Sequence, residues 1–212
     1  MAPDSRSKLH VALVRAAERR IVGAGLVALK ARELAEDVGC ALGMIYKVFQ
    51  DLDAIVLAVN LNTLAMLDAA LAQSDRLDAA EFIAKNDRGE VRTLVRLALA
   101  YFDFAADNEL RWRAVFEHVM PDGQAVPQPH LEAHNRLFAY VEEPLGAIVP
   151  NADEAARMLL GRSLFSAIHG VVDLGLKEKL VAVPRTSLRR QVALITAAAA
   201  RGLSATPSMP RR

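Results

Sequence analysis

The segment KARELAEDVGCALGMIYKVF, residues 30–49, determines the fold expected for the first part of the chain. Its apolar residues predict two short helices, over residues 30–38 and 42–49, and Gly39 stands between them where a tight turn needs a positive φ. Two short helices joined by a glycine-containing turn form a helix-turn-helix, which places its second helix in the major groove of DNA. The residues predicted to face the shared core are Leu34, Ala35, Val38, Ile45 and Phe49.

Composition and periodicity predict an all-α chain. Hydrophobic residues make up 53% of the 212 positions and aromatic residues only 5%, so Ala, Leu and Val supply most of the apolar content. Ala and Leu favour helices, and Asp51 is well placed to cap the long helix that follows the helix-turn-helix. Further helices are predicted over 6–23, 52–73, 90–106, 108–120, 130–148, 152–179 and 185–202. Residues 74–90 are predicted to form a linker with a short helical piece at 79–85. Residues 121–129, PDGQAVPQP, are predicted to form a loop.

Charge and cysteine content exclude several classes of protein. The net charge is only +1, so a purely electrostatic nucleic-acid binder is not expected, although residues 1–50 hold eight Lys or Arg against five Asp or Glu. The single cysteine, Cys40, excludes an intrachain disulfide and agrees with a reducing compartment. The N-terminus MAPDSRSK has no apolar signal core, and no uninterrupted apolar run reaches the roughly 18 residues of a membrane helix. We therefore expect a cytoplasmic protein that does not enter a membrane.

A longer stretch carries a specific resemblance. Residues 25–57, GLVALKARELAEDVGCALGMIYKVFQDLDAIVL, resemble the DNA-binding region of the tetracycline-repressor family. The match includes R-x-L-A-x-x-x-G from Arg32 to Gly39 and I-Y-x-x-F from Ile45 to Phe49. The expected architecture is an all-α chain with a three-helix helix-turn-helix domain over 1–50, an antiparallel helical ligand-binding and dimerisation domain over 51–202, and a disordered tail over 203–212.

The resemblance implies how the helix-turn-helix contacts DNA. Tyr46 would give its hydroxyl to a phosphate, Lys47 would reach a phosphate or a base edge, and Arg32 would contact the backbone or a groove edge. Phosphate contacts set the register, whereas base-edge contacts select the sequence. The predicted DNA-binding residues are Lys30, Arg32, Leu42, Gly43, Met44, Tyr46 and Lys47.

The chain departs from the family pattern at several polar positions. Lys30 and Ala41 stand where a Ser or Thr commonly caps each short helix, and Met44 replaces a common small hydroxyl residue. Val48 and Leu52 stand where a His and a Lys are frequent. These departures leave an alternative open, in which the helix-turn-helix packs but no longer reads DNA and the protein is a ligand-binding or protein-interaction module.

Two features of the later helices resemble a C-terminal subclass of the family that is marked by a Trp and a His-Gly pair. Here these are Trp112 and His169-Gly170. A ligand pocket needs apolar walls and a few polar groups that orient the ligand, and we predict an apolar or aromatic effector. The alternative is that the aromatic residues fill the core and that His169 makes a structural hydrogen bond. The candidate wall residues are Phe102, Trp112, Phe116, Met120, Phe138 and Phe165, and the candidate polar contacts are Tyr101, His118 and His169.

The last two helices carry more apolar surface than one subunit needs. The helix predicted over 152–179 is apolar on nearly every side between Met158 and Leu176, which favours burial on two sides. In the family such helices form a four-helix interface between two subunits, and small residues such as those at 197–200 allow close approach. A twofold dimer presents two recognition helices to successive major grooves of a near-palindromic double-stranded operator.

The sequence shows no constellation typical of an enzyme, and we predict neither catalysis nor a cofactor. No activated Ser or Cys with an obvious base, carboxylate pair or phosphate-binding loop is apparent. His130 and His134 are one helical turn apart, a spacing that can hold a metal ion, but they do not form H-E-x-x-H and we expect the helix start to be exposed, so no metal site is predicted. For Cys40 packing is the expected role, with redox sensing as the alternative.

Overall fold

The computed structural model describes residues 3–121, 124–179 and 181–205, and every regular element within these ranges is helical. The predicted all-α class is confirmed. The α-helices of the described residues are α1 (Pro3–Ala24), α2 (Ala31–Val38), α3 (Leu42–Val48), α4 (Leu52–Ala72), α5 (Gly89–Asp107), α6 (Glu109–Glu117), α7 (Gln128–Ile148), α8 (Glu154–Leu176) and α9 (Arg185–Ala205). Short 3₁₀ turns occur at Leu26–Ala28, Ser74–Arg76 and Ala80–Phe82.

The structure differs from the predicted helix limits around the two connecting segments. The helical piece predicted at 79–85 is only the 3₁₀ turn Ala80–Phe82. Helix α7 begins at Gln128, inside the loop predicted over 121–129, because a proline such as Pro129 is tolerated in the first turn, where its missing N–H has no helical partner. Residues 122 and 123 of that loop lie outside the described residues.

The C-terminal tail begins later than predicted. Helix α9 continues through Ala205, so residues 203–205 are helical and not part of a disordered tail. Ser204 Oγ donates to the Ala200 carbonyl oxygen at 2.9 Å, which continues the helical pattern of contacts to this point. The remaining residues of the predicted tail, 206–212, lie outside the described residues.

The first compact unit consists of the described residues up to Met66 together with those of Asn108–Ala133. Its core unites α1, α2, α3 and the start of α4 with Ala114 of the distant helix α6. The compact unit therefore does not end at the predicted boundary at residue 50. The buried residues of this core are Leu13, Val14, Ala16, Ala17, Ile21, Leu34, Ala35, Ile45, Phe49, Ile55, Val59 and Ala114.

The second compact unit consists of Leu67–Asp107 and the described residues from His134 onwards. Helices α5 and α8 both pack against α9. Two apolar clusters fill the unit, one around Val95 and Leu99 with Ala193, the other around Leu145 and Ile148. Helix α8 approaches α9 closely at Gly175, which faces a Leu188 side chain that is entirely buried.

A nearly buried carboxylate fastens the segment between α4 and α5. Asp87 accepts from Arg201 of α9 through both oxygens, at 2.7 Å from Nε and from Nη2, and also accepts from the Ala84 backbone N–H at 2.7 Å. The Arg201 hydrogen bonds hold the pKa of the Asp87 carboxyl below its usual range. Arg92 of α5 donates to the Asp87 carbonyl oxygen at 3.2 Å, so the predicted linker is tied to two helices.

Two helices, α4 and α8, are long and apolar enough to cross a membrane when judged by length and composition alone. Charged residues such as Asp68 in α4 and Arg162 in α8 interrupt their apolar runs, so no uninterrupted run predicted them. One or two such helices are weak evidence of a membrane span, because core helices of soluble proteins pass the same test. Helix α4 buries Ile55, Val59 and Leu64 within the chain.

Replacing Gly175 with alanine is predicted to lower the free energy of unfolding by about 1–3 kcal/mol, as overpacked core positions do. The added Cβ would lie 2.5 Å from Leu188 Cδ1 and 3.1 Å from its Cγ. Gly202→Ala in α9 is the matched control, because a Cβ there meets no atom within 4 Å. Urea unfolding measures both variants, and equal losses of stability would contradict the close packing of α8 on α9.

Candidate DNA-binding surface and effector site

The turn between α2 and α3 has the geometry that its sequence predicts. Gly39 adopts φ 72° and ψ 37°, in the left-handed region where glycine carries no Cβ penalty. Two hydrogen bonds close the turn, from Gly39 N to the Glu36 carbonyl oxygen at 3.1 Å and from Cys40 N to the Ala35 carbonyl oxygen at 2.9 Å. The half-buried Cys40 packs against the core of the first unit, in agreement with a packing role.

Helix α3 divides into a buried side and an exposed side. Ile45 is completely buried and Phe49 nearly so, and both belong to the core of the first unit. On the opposite side Leu42, Gly43, Tyr46 and Lys47 are exposed and Met44 is half-buried, and 51% of the Tyr46 surface is accessible. The structure thus presents the predicted recognition residues together on one accessible surface, while their contact with DNA stays a prediction.

The N-termini of α2 and α3 lack side-chain caps, as the departures from the family pattern predict. Neither Lys30 nor Ala41 makes a capping hydrogen bond. Lys30 instead places its ammonium 3.2 Å from Glu33 Oε1, a pair that was not predicted although the i,i+3 spacing indicates it. Arg32 is exposed. Of the two predicted DNA contacts Lys30 and Arg32, only Lys30 has its charge engaged by an ion pair within the described residues.

Internal ion pairs neutralise several acidic side chains of the first unit. Arg20 of α1 binds Asp37 of α2, with Nε 2.5 Å from Oδ2 and Nη2 2.9 Å from Oδ1, and also binds Glu33. The hydrogen bond from Arg20 lowers the pKa of Asp37, and hydrogen bonds from Lys30 and then Arg20 lower that of Glu33. Glu18 pairs with Arg111. Within the described part of the first unit, the exposed cations with no ion pair are Arg6, Arg15, Arg19, Arg32 and Lys47.

Helix α6 is attached to the helix-turn-helix by polar contacts as well as by its place in the core. Arg111 binds Glu18 of α1, and Asn60 of α4 donates from Nδ2 to the Ala114 carbonyl oxygen at 3.2 Å. His118, which ends α6, donates from Nε2 to the Asp53 carboxylate at 2.8 Å in the first turn of α4. His118 was a candidate ligand contact, and the structure gives it a link between α6 and α4.

The nine candidate effector residues are divided between the two units. Trp112, Phe116, His118 and Met120 lie in the first unit. Trp112 is only 1% exposed and packs against Phe116 with ring centroids 5.4 Å apart, which agrees with the alternative that it fills the core. The remaining five candidates, Tyr101, Phe102, Phe138, Phe165 and His169, lie in the second unit.

In the second unit α5, α7 and α8 bring an aromatic cluster together. Phe165 is at its centre, with ring centroids 5.5 Å from those of Tyr101, Phe138 and His169. Phe138, Phe165 and His169 are half-buried, while Tyr101 is buried. Phe102 is buried on another side of α5. We call Tyr101, Phe138, Phe165 and His169 the aromatic cluster.

One hydrogen bond gives the aromatic cluster a polar centre. The Tyr101 hydroxyl oxygen lies 2.7 Å from His169 Nδ1. Burial lowers the pKa of His169 and Lys177 lowers it further, whereas Asp173 acts in the opposite direction. His169 is therefore neutral at neutral pH, and in the tautomer with its proton on Nε2 the Nδ1 atom accepts from Tyr101. Aromatic walls around two neutral polar groups suit an uncharged aromatic ligand.

His130 is buried, contrary to expectation, although Gln128, Pro129, Leu131 and Glu132 at the start of α7 are exposed as expected. His130 is 7% exposed, and its Nε2 donates to the Leu57 carbonyl oxygen of α4 at 2.8 Å. For His130 the expectation was wrong because its side chain packs against α4, which helical spacing alone does not reveal. No group of three or more His, Cys, Asp or Glu side chains among the described residues is arranged to hold a metal ion.

These features define a helix-turn-helix protein whose second, helical unit carries an aromatic cluster with a neutral polar centre. Residues 94–201, just over half of the chain, match the family model described as "Tetracyclin repressor-like, C-terminal domain". The chain therefore belongs to the tetracycline-repressor family, whose members are DNA-binding transcriptional regulators. The predicted family is confirmed, while the subclass marked by Trp112 and His169-Gly170 stays a prediction.

Solved structures share the fold at low sequence identity. A protein of unknown function from Rhodococcus sp. RHA1 has 21% identity and a TM-score of 0.68, over 92% of this chain and 95% of that chain. The TetR family transcriptional regulator PfmR from Thermus thermophilus has 15% identity and a TM-score of 0.54, over 94% and 99%. RolR in complex with resorcinol has 16% identity and a TM-score of 0.62, over 99% of each chain. No curated protein sequence matches the chain.

Acidification is predicted to reduce the stability that depends on His169. The ordinary pKa of histidine is about 6.5, and that of His169 is lower in the folded protein. The unfolded chain then takes up a proton at a higher pH than the folded chain, so the free energy of unfolding falls as the pH drops below about 6.5. The loss is complete once the pH is below the folded pKa.

Urea unfolding of the wild type and His169→Gln at pH values of about 7.5 and 5.5 checks this prediction. The stability advantage of the wild type should shrink at the lower pH. Nuclear magnetic resonance of the His169 ring protons gives its pKa directly. The burial of a neutral imidazole would be contradicted if the difference in unfolding free energy between the wild type and His169→Gln were independent of pH. A His169 ring that titrates above pH 6.5 would contradict it as well.

Proposed function

We propose that the protein is a cytoplasmic, homodimeric transcription repressor that binds a near-palindromic DNA operator and leaves it when a small effector binds. The observation that carries this proposal is the exposed side of α3, in a unit where Glu18, Glu33 and Asp37 are internally paired. Membership of the tetracycline-repressor family supports it. We propose no enzymatic activity.

The DNA contact rests on a small group of exposed side chains. Tyr46 and Lys47 lie on the accessible side of α3, and Arg32 lies on α2. Tyr46 donates a hydroxyl to a phosphate, Lys47 reaches a phosphate or a base edge, and Arg32 contacts the backbone. Leu42 and Met44 offer apolar surface to thymine methyl groups in the major groove. A binder with these residues depends strongly on phosphate contacts.

The dimer rests on the apolar side chains that α8 and α9 leave exposed. Leu159 is 67% and Leu174 is 45% exposed on α8, and Leu194 and Ile195 are exposed on α9. Large exposed apolar side chains on two adjacent helices favour burial against a partner. Two copies related by a twofold axis would bury these helices as a four-helix interface.

The effector site rests on the aromatic cluster. Its walls are aromatic edges and faces, and its polar groups are the Tyr101 hydroxyl and the neutral His169 imidazole. A small, uncharged aromatic or otherwise apolar molecule fits this chemistry better than a charged one. RolR, which shares the fold, is seen with resorcinol, a small phenol, and this supports an effector of similar chemistry.

The proposed mechanism couples the effector to the helix-turn-helix through α4. Helix α4 begins one turn after the recognition helix, and its residues from Leu67 onwards belong to the second unit. A ligand that favours another position of α4 changes the separation of the two recognition helices in the dimer. The coupling free energy is the difference in effector-binding free energy between the two dimer geometries. DNA and effector must therefore lower each other's binding affinity by the same factor.

One observation favours a second candidate function. Lys30 and Ala41 provide no caps, and the ammonium of Lys30 is engaged by Glu33. A helix-turn-helix that has lost such contacts can pack without reading DNA. The chain would then be a ligand-binding or protein-interaction module, and DNA binding separates the two candidates.

The wild type is predicted to bind the intergenic DNA beside its own gene more tightly than scrambled DNA at every salt concentration, with two subunits per site. Fluorescence anisotropy over a salt series measures this. Lys47→Gln should reduce the slope of log affinity against log salt by about 0.9 for each phosphate contact removed, and Tyr46→Phe should weaken binding. Lys85→Gln, an exposed lysine of the second unit, is the matched control and should change nothing. Equal, weak and steeply salt-dependent binding to both DNAs would favour the module.

Resorcinol is predicted to bind the wild type and to weaken operator binding. Isothermal titration calorimetry measures its affinity with and without DNA, and the two ligands should weaken each other equally. His169→Ala and Tyr101→Phe should lower the affinity for resorcinol by about tenfold or more, the equivalent of one hydrogen bond to a buried group. Phe116→Ala, in the first unit, is the control. The effector would bind away from the aromatic cluster if Phe116→Ala lowered the affinity for resorcinol while His169→Ala and Tyr101→Phe left it unchanged.

A further inference from the structure

The first turns of α1 carry a local excess of positive charge. Residues 5–17, SRSKLHVALVRAA, contain Arg6, Lys8, His10 and Arg15 and no Asp or Glu, although Asp4 precedes them. Arg6, Lys8 and His10 are exposed. The core of the first unit does not need these polar side chains, and none of them was a candidate for the DNA-binding surface.

A ring contact places this part of α1 beside the end of the recognition helix. The His10 imidazole stacks on the Phe49 ring, with centroids 4.5 Å apart and planes inclined by 25°. Phe49 is the C-cap of α3, and its N–H donates to the Ile45 carbonyl oxygen at 2.8 Å. Phe49 follows Lys47 by only two residues. The stack therefore holds the first turns of α1 next to the last turn of α3.

Helical periodicity then locates Arg6. It precedes His10 by four residues, so it shares the same side of α1 about 6 Å further along the axis. Arg6 is exposed, and no carboxylate among the described residues pairs with it. Arg19 serves as the comparison position. It is also an exposed arginine without an ion pair, but nine residues, or two and a half turns, separate it from His10, which puts it on the opposite side of α1.

We infer that Arg6 binds a DNA phosphate beside the groove that α3 enters, so that the phosphate-binding surface extends from the recognition helix onto α1. Phosphates line both edges of a major groove, and a side chain next to the end of a helix in the groove meets one of these edges. The guanidinium suits a phosphate because it remains charged and donates two parallel hydrogen bonds. The His10–Phe49 stack positions α1 for this contact.

The inference rests on the proposed DNA-binding function, and a salt series separates the two. Anisotropy of wild type, Arg6→Gln, Arg6→Lys and Arg19→Gln is measured on the intergenic DNA and on scrambled DNA. Arg6→Gln should reduce the slope of log affinity against log salt by about 1.8 on both DNAs, since a dimer loses two phosphate contacts of about 0.9 each. The preference for the intergenic DNA should not change, because a phosphate carries no sequence information.

The other variants decide whether position or total charge matters. Arg6→Lys should keep most of the wild-type slope, and Arg19→Gln should keep all of it. A wild-type slope in Arg6→Gln would overturn the inference while leaving the proposed function intact. Equal losses in Arg6→Gln and Arg19→Gln would overturn it as well, since net charge alone would then explain the effect. Failure of the wild type to bind either DNA would refute both the inference and the proposed function.

Discussion

The structure depends on a constraint of length: the two helices that would meet DNA are too short to be stable alone. Helix α2 has eight residues and α3 has seven, and isolated helices of this length do not persist in water. Their shape comes from burial against α1, α4 and α6, where Leu34 and Ile45 have no exposed surface. The geometry presented to a DNA groove is therefore set by helices that do not enter the groove.

The local pattern of the helix-turn-helix was sufficient to predict its fold. Gly39 has the positive φ that its place requires, and Asp51 accepts from the Ala54 N–H at 2.7 Å as the predicted cap of α4. The extent of the compact unit was not predictable in the same way. Ala114 belongs to its core, but an alanine in an amphipathic helix carries no sign of the helix against which it will pack.

The sequence also could not predict which candidate effector residues lie together in the folded chain. Tyr101 and His169 are 68 residues apart in sequence, and their hydrogen bond depends on how α5 and α8 are packed within the second unit. Residue type identified both as candidates, whereas type alone could not separate them from Trp112, which the structure buries in the first unit. Net charge was similarly uninformative, because Arg20 pairs with two acidic groups inside the first unit.

The discontinuous first unit has a consequence for the order of events during synthesis. Its core needs α6, whose Ala114 emerges from the ribosome after the whole of α5. Chains fold from the N-terminus as they are made, at about 5–20 residues per second. For several seconds the nascent helix-turn-helix therefore lacks α6, the last helix of its core, and Leu34 and Ile45 are incompletely buried. During that interval the chain is open to chaperones and proteases at the very segment that would later read DNA.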